Sequence, residues 1–216
     1  MKSNPFADAL HFLVQPAFTT LVYWLLLLGS VAIALYAWRS IASQRSWNCV
    51  GDWLCRFFIG TMWWQQTLWK LPPLYTDNPS DPLNSGLHYW MTREGQSAAI
   101  PLQADFVNHI VLPHFYLFAP IVYSLEVLTA VSLILGLFVR LWGVIGALQV
   151  LNLWLGLYNA EGEWPWTYFF LLVLMVIFAV HRYGRSLGLD AILLERAARV
   201  SGNGSRPPGR WLEVIT

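Results

Sequence analysis

The sequence predicts an all-α integral membrane protein of five spans, with the N-terminus outside and the C-terminus in the cytoplasm. Three observations predict it. The 216 residues are 56% hydrophobic and only 12% charged, with a mean hydropathy of +0.48, whereas globular domains carry about 25% charged residues. Uncharged runs of bilayer length recur along the chain. The 13 Lys and Arg residues also divide unequally between alternating sides. Arg39, Arg45, Arg56, Arg140, Arg182, Arg185, Arg196, Arg199, Arg206 and Arg210 fall on one side, and only Lys2, Lys70 and Arg93 on the other, a positive-inside bias. The 13 Trp, 9 Tyr and 12 Phe fit aromatic belts at the two interfaces.

Residues 1–16 are short and mixed. Residues 17–37 form an uncharged first span, too long for the apolar region of a signal peptide and without a basic flank or cleavage motif. A polar loop with Arg39 and Arg45 leads to a second span over 51–71, stopped by Pro72-Pro73. Residues 72–112 make the longest segment between spans and face outward, with Leu102, Phe106, Val107 and Ile110 at the spacing of a short surface helix. The remaining spans are 114–138, 141–158 and 166–180, joined by a tight turn at Arg140 and an acidic turn holding Glu161 and Glu163. Residues 187–200 place Leu189, Ile192, Leu193, Ala197 and Val200 on one face of an interfacial helix. The segment from Ser201 to Arg210 is rich in Gly, Pro and Ser and reads as a flexible tail.

The second span carries the most informative pattern. At ~100° per residue, Arg56, Gly60, Trp63, Thr67 and Lys70 lie within about 80° of one another on a helix. A face that runs charge, small, aromatic, hydroxyl, charge cannot look into lipid and must look into a bundle. Glu126 sits at the middle of the third span, where an ionised carboxylate is costly, with Ala119, Tyr123, Thr129 and Ala130 on its side. A stripe of Gly146, Gln149, Asn152, Gly156 and Asn159 runs along the fourth span. With Gln66 and Lys70, these residues build a polar interior from three helices. That interior reads in two ways. It is a pocket for a lipid-soluble molecule with polar groups, such as a quinone, in which Glu126 moves a proton and Tyr123, Trp63, Gln66 and Asn152 bind carbonyl oxygens or stack on the ring. Or Glu126 pairs with a donor only to lock helices together. Arg56 and Arg140, and Lys70 at the outer end, are either snorkelling anchors or partners for carboxylates and helix-end carbonyls.

Other chemistries find no pattern. No two histidines fall at matching mid-membrane depth, as a bis-histidine haem requires. His88, His109 and His114 match no compact metal-ligand spacing, so neither metal nor haem is expected. There is no Gly-rich phosphate loop, GxSxG or HExxH, and nothing points to nucleic acid. Cys49 and Cys55 form neither CxxC nor a zinc pattern and read as unpaired small apolar residues, with a redox role as the alternative.

Taken in order, these residues resemble the DoxX/DoxD family of membrane proteins. The second span with Arg56, Gly60 and Lys70-Leu71 looks like the opening of that family. The stretch FAPIVYSLEVLTAVSLILGLFVRLWG is similar to its second core helix, with Glu126, Gly136 and Arg140. The ending EWPWTYFFLLVLMVIFAVHRYGRSLGLDAIL, with Gly184-Arg185-Ser186 and Leu189-Asp190, resembles the DoxD-like branch. The resemblance covers about 47–195 and leaves the first span as an addition to a four-helix bundle. It implies a small subunit like that of thiosulfate:quinone oxidoreductase, working with a DoxA-like partner in the cytoplasmic membrane. In that reaction two thiosulfates couple to tetrathionate while quinone takes two electrons and two protons. Arg56, Lys70, Glu126, Arg140 and Asp190 carry over as family-pattern positions without settled roles. The competing expectation is a non-catalytic subunit that stabilises a larger respiratory, photosynthetic or thiol-redox complex. A transporter is a third reading, disfavoured because no inverted repeat is visible.

Overall fold

The computed structural model describes residues 4–202 and 210–216. The described residues form helices joined by turns, with no strand among them: α1 (Pro5–Val14), α2 (Phe18–Ser40), α3 (Trp47–Thr67), α4 (Gly86–Ser97), α5 (Pro101–Phe106), α6 (Phe115–Leu135), α7 (Val139–Gly156), α8 (Pro165–Val180), α9 (Leu189–Gly202) and α10 (Arg210–Ile215). Three of them, α2, α6 and α7, are long and apolar enough to cross a membrane, and α8 is a shorter apolar helix. Together they make a multi-pass membrane protein. The 21 residues of α3 are long enough, but Asp52, Arg56, Gln65 and Gln66 make the helix less apolar.

Most predicted spans fall within a few residues of these helices. The largest offset is in α3, which begins at Trp47 because the Ser46 side chain accepts the Cys49 N–H at 3.2 Å. It ends at Thr67, so Lys70 lies beyond the helix rather than inside it. The surface helix expected over 102–110 is α5, continued by a π-helical turn at Val107–Val111. Three helices had not been expected. The first, α1, starts on an Asn4 cap, whose Oδ1 accepts the Phe6 N–H at 3.0 Å, followed by Pro5. The second is α4. The third, α10, buries Leu212 and Thr216. The predicted flexible stretch falls largely outside the described residues.

The core lies between α3, α6, α7 and α8, around Trp63, Trp64, Ala130, Leu133, Ile134, Val139, Val150, Met175 and Phe178. Close approach rests on small residues. A Cβ on Gly60 would sit 2.9 Å from the Ile134 backbone nitrogen, so α3 and α6 meet backbone to backbone there. The first transmembrane helix is bound to the core by polar contacts as well as packing. Ser30 Oγ donates to the Ile134 carbonyl at 2.6 Å, Trp53 Nε1 donates to Ser30 Oγ at 3.1 Å, and the Tyr23 and Thr61 hydroxyls lie 3.1 Å apart. Phe18, Leu21, Leu25, Leu28 and Leu35 are exposed on the opposite side of α2, as a lipid-facing surface requires.

A stagger between α3 and α6 positions the site. Gly60 is level with Leu133 and Ile134, and Lys70 reaches Glu126, the middle of α6. The N-terminal half of α6 therefore extends past the end of α3. It is covered by the segment after α3: Tyr75, Leu87 and Met91 pack on Val111, Phe115 and Ala119, and Tyr75 meets the rings of Phe115 and Tyr123 edge-on. The outer segment is thus packed into the bundle. Backbone bonds Ala99 N–H to Leu155 O (2.7 Å) and Asn159 N–H to Ser97 O (3.1 Å) fasten it to the end of α7.

Candidate functional site

The polar residues singled out in the sequence gather in two separate places. At the end of the bundle where α3 begins and α6 ends, inner by the positive-inside prediction and opposite the outer end, Arg56 is fully buried. Its Nη1 donates to the carbonyls of Leu133 (2.7 Å) and Ile134 (3.1 Å), which end α6, and its Nη2 donates to those of Ser186 (3.3 Å) and Leu187 (3.4 Å). One guanidinium fork thereby supplies donors to carbonyls that the helix leaves open and to the loop after α8. Asp190 does the converse for α7. Its carboxylate accepts the N–H groups of Phe138 (2.7 Å) and Val139 (3.2 Å), capping α7 from another part of the chain. Burial pushes the Asp190 carboxyl up to about 6, against the lowering effect of those two N–H groups and Arg56. Around this pair, Gln44 Oε1 accepts the Leu187 N–H at 2.7 Å and Ser186 Oγ donates to Asp52 at 2.7 Å. Arg140 Nε donates to the Ala179 carbonyl at 3.1 Å, holding α7 to α8. Each family-pattern residue here is committed to backbone groups of the fold.

At the outer end, Lys70 Nζ lies 2.6 Å from both oxygens of Glu126, and both residues are buried. Only Oε1 is aligned for a hydrogen bond; Oε2 has the ion contact but no hydrogen-bond donor. The ammonium also sits 4.3 Å above the Trp69 ring. Close by is Glu94 of α4, 6% exposed, which no sequence pattern marks. Its Oε2 accepts from Asn152 Nδ2 at 3.0 Å, and Asn152 Oδ1 accepts from Gln103 Nε2 at 2.7 Å. Gly156 makes room for it, since a Cβ there would lie 2.9 Å from the Glu94 Cγ. Burial pushes the Glu94 carboxyl up to about 7, and the charge of Glu126 adds to the rise; Asn152 and Lys70 oppose it.

The remaining predicted residues separate clearly. Tyr123 is half-buried beside Glu126, one turn away on α6. Asn152 lies in the cluster, but bonded to Glu94 and Gln103. Trp63 is buried, with its indole N–H 3.3 Å from Met175 Sδ and so already engaged. Its neighbour Trp64 is the one with a buried N–H that has no partner. Gln66 is not part of the interior: it is exposed, and its Oε1 accepts from Trp69 Nε1 at 3.4 Å. Cys49 and Cys55 are free thiols. No group of three or more metal-ligating side chains occurs among the described residues.

Chemically, the inner cluster is a set of helix caps, with Arg56 Nε the one nitrogen of its guanidinium left without a partner among the described residues. The outer cluster holds two carboxyl groups and one ammonium out of water, so burial and the unbalanced charge favour a proton on Glu94. Compared with protein-family models, with curated proteins and with solved structures, the chain matches none.

Proposed function

We propose that the chain is a DoxX/DoxD-like subunit of a membrane redox system that passes electrons to quinone, with the outer cluster as its working site. The observation that carries this reading is the buried Lys70, Glu126 and Glu94 group, set against the middle of the apolar helix α6 and one proton short of neutrality. Reducing a quinone to quinol consumes two electrons and two protons, so a site for it needs buried proton donors next to hydrogen-bond donors for the ring oxygens. Glu94 and the proton that Lys70 holds against Glu126 offer the first. Tyr123 and the unpartnered indole N–H of Trp64 offer the second, taking the part expected of Trp63 and Gln66. Quinone is the electron acceptor and brings its own redox chemistry. The protein's residues hold its oxygens, exclude water and keep protons at carboxyl oxygens. In the thiosulfate version the two electrons come from joining two thiosulfates into tetrathionate, with a DoxA-like partner at the outer face. The proposed topology is five spans in the cytoplasmic membrane, counting α3 and α8, with the C-terminus inside.

Quinone reduction by the chain with its partner, driven by thiosulfate, tests this. Glu126→Gln and Lys70→Met are expected to abolish turnover while the proteins stay folded. Unchanged turnover in both removes the cluster from the mechanism.

A second reading, a structural subunit of a larger complex, is favoured by one feature. On α3, Gly51, Cys55, Phe58, Met62, Gln65 and Gln66 are all exposed and share an arc of about 100°. Two adjacent glutamines on that face suit a neighbouring protein better than hydrocarbon. Purification in mild detergent separates the two readings: a stoichiometric large assembly supports the second, and an active chain with one small partner supports the first.

A further inference from the structure

The residue that no sequence pattern singled out is the one whose surroundings ask most of it. Glu94 sits on α4, outside the spanning helices, yet is as buried as Glu126. Charged or titratable groups approach it from three directions: Lys70 from the turn after α3, Glu126 from α6 and Tyr168 from α8. On its own helix, Arg93 turns away to the Tyr89 hydroxyl (3.0 Å) and the Glu161 carbonyl (2.7 Å), and Tyr168 donates to Glu163 at 2.9 Å. Only one cation therefore serves two carboxylates. Lys70 is spent on Glu126, with both oxygens at 2.6 Å, and Glu94 is left with an amide donor, Asn152. A second buried negative charge with no cation of its own is costly, and the group neutralises instead.

The geometry points to Glu94 as the holder of an exchangeable proton, which neutralises the outer cluster, with Asn152 and Gln103 orienting its carboxyl group rather than carrying the proton. Glu126 stays ionised in its pair with Lys70. The row Gln103, Asn152, Glu94 is continuous at 2.7 and 3.0 Å, and it begins at a half-buried side chain on α5. The Asn152 amide bridges the two, its oxygen toward Gln103 and its nitrogen toward Glu94. The rise of the Glu94 carboxyl to about 7 agrees with this assignment but follows from the same burial and charges. Glu94 in this role deepens the quinone reading, on which it rests. The experiment contains no quinone, so the two ideas fail separately.

The experiment is infrared titration of the purified chain in detergent, following the carbonyl band of a protonated carboxylic acid. Wild type is expected to show a band that titrates near pH 7, and Glu94→Gln to lack it. In Glu126→Gln the Lys70 ammonium is released to Glu94, so the midpoint moves to lower pH. Asn152→Leu removes the donor that favours the charged form and moves it higher, which also covers the case in which Glu94→Gln does not fold. Gln103→Leu loosens the Asn152 amide that it holds, so the midpoint moves in the same direction as in Asn152→Leu but by less. A wild-type band that does not titrate, or one that survives Glu94→Gln unchanged, overturns the assignment. A midpoint that does not move in Asn152→Leu overturns the part given to the amide.

Discussion

The two polar clusters are built from the same kinds of residue and come to opposite ends. At the inner end, a buried arginine and a buried aspartate spend themselves on the backbone: Arg56 on four carbonyls and Asp190 on two N–H groups. At the outer end, a buried lysine and two buried glutamates face one another, and their charges do not balance. The difference teaches how to read ionisable groups in a membrane helix. Burial alone marks both. What separates a structural group from a working one is whether its partners are fixed backbone dipoles or other titratable side chains.

Several perturbations can break or sharpen that contrast. The largest effect is expected from Arg56→Leu, which strands four carbonyls at once and should cost about 3–5 kcal/mol of stability in denaturant unfolding. Arg56→Lys should recover only part of this, because an ammonium cannot reproduce the planar fork. Full stability in Arg56→Lys would mean that charge matters there and geometry does not.

Next is the ion pair. Lys70→Met leaves two buried carboxylates without a cation and should destabilise by roughly 3 kcal/mol. Adding Glu126→Gln to the same chain should restore most of the loss while leaving turnover absent. A double variant as unstable as the single one would show that Lys70 and Glu126 are not coupled.

A smaller effect of distinctive shape comes from Glu94. Its carboxyl is raised from 4.5 to about 7 in the folded protein, so between those values the folded state binds more protons than the unfolded state. Stability therefore falls as pH rises through that window and levels off above it, by roughly 3 kcal/mol at most. Glu94→Gln should flatten this slope and be the more stable protein at alkaline pH. Asp190, raised from 3.8 to about 6, contributes in the same direction over a lower window and should remain in Glu94→Gln. Equal pH slopes in wild type and Glu94→Gln would contradict the charge imbalance.

The smallest effect is at the cap of α7. Asp190→Asn keeps one acceptor and loses the charge, which should cost about 1–2 kcal/mol in thermal unfolding.

How far the sequence reached follows the same physics. The face Arg56, Gly60, Trp63, Thr67 and Lys70 was legible because helical periodicity is a local property, and all five are buried. Glu126 was legible as a carboxylate in an apolar run, and Lys70 as a member of the same interior, but their direct pairing was not. Gln66 was placed inside because it neighbours Lys70 in sequence, although it lies about 40° beyond the edge of that face, and the structure turns it outward. Glu94 carried no signal. It stands in a polar segment among other charges, and its burial depends on the stagger of α3 against α6, which no local pattern encodes. The role of Asp190 as a cap for α7 is equally non-local, since 51 residues separate it from Val139. The DoxX/DoxD resemblance marked Arg56, Lys70, Glu126, Arg140 and Asp190 together, but only their partners divide them into two groups.

The most direct test of that division is quinone binding by tryptophan quenching on three purified chains: wild type, Glu126→Gln from the outer cluster and Asp190→Asn from the inner one, each corrected for its folded fraction. Saturable quenching that weakens in Glu126→Gln and is unchanged in Asp190→Asn is the predicted result. Linear quenching in all three chains, or equal weakening in both variants, would contradict the account and turn the search toward a protein partner on the exposed face of α3.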